Sequence, residues 1–88
     1  STEVMMAEPI EVLRKLIAKQ ANIDPSIIEP DSTLDELGVT SLDLVEIIFS
    51  VEDEYGISIP LDANEAWKTI KTVDDIIALG DSYGIKGA

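Results

Sequence analysis

The 88-residue chain contains no cysteine and no histidine, and only one tryptophan and one phenylalanine. Without cysteine there is no disulfide, no thiolate nucleophile and no sulfur ligand for a metal. Without histidine the commonest general base and the commonest metal ligand are both missing. A reactive group therefore has to come from a prosthetic group or a partner, and a non-enzymatic role is expected. Positive charge is also scarce, with 6 Lys and Arg against 18 Asp and Glu, a net charge of −12. Such a chain repels nucleic acid and anionic lipid headgroups and is drawn to basic protein surfaces. All six basic residues (Arg14, Lys15, Lys19, Lys68, Lys71, Lys86) fall before residue 20 or after residue 67, which leaves a wholly acidic middle. No apolar run approaches the ~20 residues of a membrane span, so no membrane insertion is expected. No basic segment precedes an apolar core at the N-terminus, so no secretory signal is read and a cytoplasmic location is expected.

A chain this short holds one core, so residues 1–88 read as a single domain, with 1–8 and 84–88 as flexible ends. Met5 and Met6 are candidates to cover an edge of that core. The periodicity is helical. From Pro9, a good first helical residue, Ile10, Leu13, Leu16 and Ile17 recur at helix spacing to about Ala21. Residues 22–40 form a long connection with Pro25, Pro30 and Gly38. Ile23, Ile27, Ile28, Leu34, Leu37 and Val39 are placed to pin it to the bundle, with short turns near Ser26–Ile28 and Thr33–Leu37. The loop is expected to travel the length of helix one, so that helix two starts at the far end. A short third helix around Ala63–Lys68 holds Trp67, expected as a core or cleft-edge aromatic. Thr72-x-x-Asp75 resembles a capping box for a fourth helix that buries Val73, Ile76, Ile77 and Tyr83. The expectation is an all-α, antiparallel four-helix bundle with a short third helix and a long loop between helices one and two.

Chemistry concentrates at the start of helix two. Thr40 is a good N-cap, and Thr40-x-x-Asp43 approximates a capping box with Asp in place of Glu or Gln. Ser41 then lies in the first helical turn, where an anion is favoured. As a nucleophile it would need a base, and the chain has no His; as an acceptor of a phosphodiester it needs only exposure. The helix runs to about Tyr55 and ends at Gly56. Leu44, Ile48, Val51 and Tyr55, with Ile47, make a core face. Leu42, Val45 and Phe49 form a second apolar stripe bordered by Glu46, Glu52 and Asp53, and so small a chain cannot bury both sides. Asp31-x-Thr33-x-Asp35 faintly echoes a calcium loop but lacks the Gly and Glu at the required offsets, so no metal site is expected.

Leu37-Gly38-x-x-Ser41-Leu42-Asp43-x-Val45-Glu46, followed by Glu52-x-Glu54-Tyr55-Gly56-Ile57-x-Ile59-Pro60, closely resembles the acyl carrier proteins over about residues 9–83. The resemblance implies that Ser41 bears covalent 4'-phosphopantetheine derived from coenzyme A, attached by a phosphopantetheinyl transferase, and that acyl groups travel as thioesters on its thiol. It implies a monomer whose Leu42, Val45, Glu46, Phe49, Glu52 and Asp53 dock acyl-loading and acyl-transfer enzymes with basic surfaces. A fatty chain is expected to enter beside Leu44, Ile48 and Val51 as helices two and three part. The pathway the resemblance implies is fatty-acid, specialised lipid or secondary-metabolite synthesis. Thr40 stands where the family usually has Asp, and the third-helix segment is a few residues longer, which favours a specialised member. The alternatives are an aminoacyl or peptidyl carrier and an unmodified, carrier-like interaction module.

Overall fold

The computed structural model describes residues 8–84; the expectations for Met5 and Met6, and those of flexible ends at 1–8 and 84–88 other than at Glu8 and Gly84, lie outside them. Those residues form four α-helices and no strand: α1 Pro9–Ala21, α2 Ser41–Tyr55, α3 Ala63–Thr69 and α4 Val73–Ser82, with a 3₁₀ turn at Pro25–Ile27. The expected all-α four-helix bundle is the observed one, and the boundaries follow local chemistry. Pro9 opens α1, and Asn22 closes it at φ +58°, a left-handed position that Asn tolerates. Gly56 ends α2 at φ +62° and donates its N–H to the Glu52 carbonyl. Asp62 caps α3 through the Glu65 N–H, and Thr72 caps α4 in a complete capping box with Asp75.

Helix α1 packs on α2 and α4, and α2 packs on α3. One core, including the fully buried Ile17, Ile28, Leu34, Leu44, Ile47 and Val73, joins the helices to the long loop. Burying such side chains supplies about 1.5–3 kcal/mol each, and Ile28 and Leu34 show that the loop shares in it.

The path of that loop corrects the sequence-based expectation. Gln20 at the end of α1 touches Asp43 at the start of α2 (Nε2 to Oδ1, 3.4 Å), while Pro9 and Val12 at the start of α1 lie with Tyr55 at the end of α2. The two helices are antiparallel, so the loop returns to the end it left. It first runs back along α1, where Arg14 Nε donates to the Ile28 carbonyl at 2.7 Å and the guanidinium pairs with Glu11 and Glu29. It then crosses to α4: Asp74 N–H donates to Pro30 O (2.8 Å), Val73 N–H to Ser32 O (3.0 Å), and Leu34 N–H to Lys71 O (2.9 Å).

Two further expectations fail locally. Ile27 is 55% exposed and pins nothing; it is adjacent to Ile28, and the extended backbone at Ile28 turns only that side chain into the core. Tyr83 is 40% exposed because α4 ends at Ser82 and Tyr83 departs from helical geometry. Val73, Ile76 and Gly80 form the buried side of α4 instead.

Candidate functional site

The approach to α2 is shaped by three residues. Gly38 turns at φ +77°, where a side chain would be strained. Val39 is buried and donates its N–H to the Leu34 carbonyl at 2.9 Å, which anchors the stretch of chain entering the helix. Thr40 then caps: its Oγ1 accepts the Asp43 N–H at 3.1 Å, and Asp43 Oδ2 accepts the Thr40 N–H at 3.1 Å. The Thr40 N–H, with a smaller contribution from Gln20, holds the Asp43 carboxyl below its usual range, so it is ionised and committed to the cap.

Ser41 is the first residue after that cap and is exposed. The Ser41 and Leu42 N–H groups, too early in the helix for intrahelical partners, meet no backbone acceptor among the described residues. An exposed hydroxyl beside free N–H groups at the positive end of a helix fits a phosphodiester. Among the described residues no proton acceptor is hydrogen-bonded to the Ser41 hydroxyl, the Asp43 carboxylate being bonded to Thr40 and Gln20 instead.

Along α2, Leu44, Ile47, Ile48 and Val51 are buried, and Tyr55 packs partly against the core as expected. The opposite side carries Leu42, 69% exposed, and Phe49, 58% exposed, with Glu46 and Asp53 exposed beside them. Val45 is half-buried. At 100° per residue Ser41, Val45, Phe49 and Leu42 share one side of the helix, so the apolar residues expected to dock partners lie along the serine's side. Glu52 is the exception in its surroundings: its Oε2 accepts the Ile59 N–H at 2.6 Å and braces the connector to α3.

Two grooves flank α3. One, about 280 Å³, lies between α2 and α3 and is lined by Val45, Ile48, Phe49, Leu61, Asp62, Ala63 and Ala66. The other, about 400 Å³, lies between α3 and the loop and is lined by Thr33, Leu34, Asp35, Trp67, Ile70 and Lys71. Trp67 is half-buried at its edge, with Lys71 Nζ 5.9 Å from the ring centroid and donating to Trp67 O at 3.1 Å. Between α1, α2 and α4 the space shrinks to about 10 Å³, too little for cargo. The Tyr55 hydroxyl is buried without a protein partner, and burial, then the Glu54 charge, pushes its pKa up, which keeps it neutral. No cluster of three potential metal ligands occurs among the described residues.

A third capping box was not read from the sequence. Thr33 and Glu36 exchange bonds, Glu36 Oε1 accepting the Thr33 N–H at 2.8 Å and Thr33 Oγ1 accepting the Glu36 N–H at 3.1 Å. The Thr-x-x-Glu spacing was the available signal. Ser32, buried with 7% exposure, accepts the Glu29 N–H and fixes the turn before it.

Known proteins resemble this chain over most of its length. Residues 11–79 match the family model described as phosphopantetheine attachment site. The chain is 34% identical over 79 residues to an acyl carrier protein of Zymomonas mobilis, covering 89% of this chain and 97% of that one. It is 38% identical over 79 residues to the acyl carrier protein AcpXL of Mesorhizobium japonicum, covering 89% and 80%. An acyl carrier protein of Thermosynechococcus vestitus is 35% identical over 72 residues, covering 81% and 89%.

Proposed function

The chain belongs to the acyl carrier protein family, whose members work through covalently attached phosphopantetheine, and on that premise we propose that Ser41 is the attachment residue of a non-catalytic carrier. The observation that supports this most is the exposed Ser41 hydroxyl at the uncommitted N-terminus of α2. When bound, the prosthetic group supplies a thiol that holds cargo as a thioester. The chain's own residues do the rest. Thr40 and Asp43 fix the turn that presents Ser41, and the free N–H groups of Ser41 and Leu42 favour the phosphodiester charge. Leu42, Val45 and Phe49, rimmed by Glu46, Asp53 and the remaining charge of Glu52, form a face for basic partner enzymes, among them a phosphopantetheinyl transferase. The groove between α2 and α3 receives the beginning of an acyl chain.

The protein acts as one monomeric carrier domain in the cytoplasm and takes a specialised role, in lipid or secondary-metabolite synthesis rather than bulk fatty-acid synthesis. Thr40 supports that finer reading: it keeps the cap but leaves no acidic side chain immediately before the serine, which alters what a transferase meets. Intact mass spectrometry after incubation with coenzyme A and a broad-specificity transferase tests the proposal. One added phosphopantetheine on the native protein and none on Ser41→Ala is expected. No addition there, nor in extracts of the source organism, would leave only an unmodified interaction module.

A further inference from the structure

The groove between the loop and α3 has features that the acyl groove lacks. Its floor is apolar, from Leu34 and Ile70, and Trp67 forms one wall. Its rim carries opposite charges, Asp35 and Lys71, and neither forms an ion pair with another described residue. Lys71 uses one of its three N–H donors on Trp67 O, which leaves two to offer. A ligand suited to this surface has methyl groups for the indole, a carbonyl for the ammonium and an N–H for the carboxylate. Phosphopantetheine has all three: a gem-dimethyl carbon and two amides.

The groove is also within reach. Val39 is tied to Leu34 by its N–H bond, and Ser41 is two peptide steps beyond Val39, so at most about 8 Å from it. An arm of about 14 bonds from the serine oxygen to the thiol sulfur extends to roughly 16 Å. We propose that the Trp67–Lys71 groove is a docking subsite for the pantetheine arm of this chain, with Lys71 donating to an amide carbonyl, Asp35 accepting an amide N–H and Trp67 contacting the gem-dimethyl group. The proposal rests on Ser41 being the attachment residue. It assigns the two grooves to different parts of the load, the arm to the loop side of α3 and the acyl chain to the α2 side.

The chain's single tryptophan makes this measurable. The unacylated holo-protein, its modification first verified by mass, would be studied by NMR for cross-relaxation between the Trp67 indole protons and the gem-dimethyl protons. Contacts are expected in the native protein. They should weaken severalfold in Lys71→Ala, which leaves the main-chain bonds of residue 71 in place, and in Asp35→Asn. The arm thiol would be the only thiol present, so its reaction with a disulfide reagent gives a second readout, about two- to tenfold faster in Lys71→Ala than in the native protein. A verified holo-protein with no such contacts, and with equal thiol rates in native and variant proteins, overturns the subsite while leaving Ser41 as the carrier residue. Absence of any mass gain overturns both, so the two failures are distinct.

Discussion

Thr40-x-x-Asp43 and Thr72-x-x-Asp75 place the same capping box at the starts of α2 and α4, in very different surroundings. At α4 the loop carbonyls of Ser32 and Pro30 take the N–H groups of Val73 and Asp74, and Asp75 Oδ2 accepts from both Lys71 and Thr72 at 2.8 and 3.0 Å. At α2 the equivalent N–H groups, on Ser41 and Leu42, have no such partners among the described residues. The first helical residue is exposed Ser41 in one case and Val73, at 0% exposure, in the other. A helix N-terminus is thus available to an anion only where the chain has not already consumed its donors.

Moving the serine from the first turn of α2 to that of α4 puts this contrast to its hardest test. Val73→Ser puts a hydroxyl into a packed site and should cost about 3 kcal/mol in urea unfolding, whereas Ser41→Ala should change stability by less than about 0.5 kcal/mol. The double variant should gain no phosphopantetheine, since position 73 offers neither exposure nor free donors. Phosphopantetheinylation of the double variant at position 73 would show that the motif alone suffices, whatever surrounds it. A smaller contrast comes from the two aspartates. Asp75→Ala leaves two N–H groups without their acceptor and should destabilise by about 1–2 kcal/mol, against about 0.5–1 kcal/mol for Asp43→Ala, measured by thermal unfolding of both.

The smallest effect is in pH. Bonds from the Lys71 and Thr72 N–H groups hold the Asp75 carboxyl below its ordinary range. Its ionised form therefore favours the folded state, an advantage complete above the ordinary carboxylate range and lost as pH falls through the folded-state value. The stability gap between native protein and Asp75→Ala should narrow on acidification across that interval. A gap that stays constant would show that Asp75 acts by packing rather than charge.

Helix limits were legible in the sequence because Pro9, Thr40, Gly56 and Thr72 act within one turn of where they stand. The position of Ser41 was legible for the same reason, and so was the surplus apolar stripe on α2. The loop path was not. Its fastenings are main-chain bonds such as Leu34 to Lys71 and Val73 to Ser32, which no side-chain pattern announces across so much sequence. Ile27 and Tyr83 were misplaced because hydrophobicity alone does not say which of two adjacent residues turns inward, or where a last helical turn unwinds. The groove beside Trp67 depends on that loop path and was hidden with it.

The fastening of residues 30–34 to 71–74 has a mechanical consequence. It divides the bundle into a frame and a panel. Helices α1, α2 and α4 with the loop make the frame, cross-tied by Arg14, Val73 and Asp74. Helix α3 is the panel, seven residues hung between the Glu52–Ile59 brace on one side and the Lys71–Leu34 bond on the other. Only Ala66 is buried within it, with Trp67 partly packed against the core, so its hold beyond the hinges is its packing on α2. The same panel walls both grooves, Trp67 on the loop side and Ala63 and Ala66 on the α2 side, so neither groove has a wall of its own there.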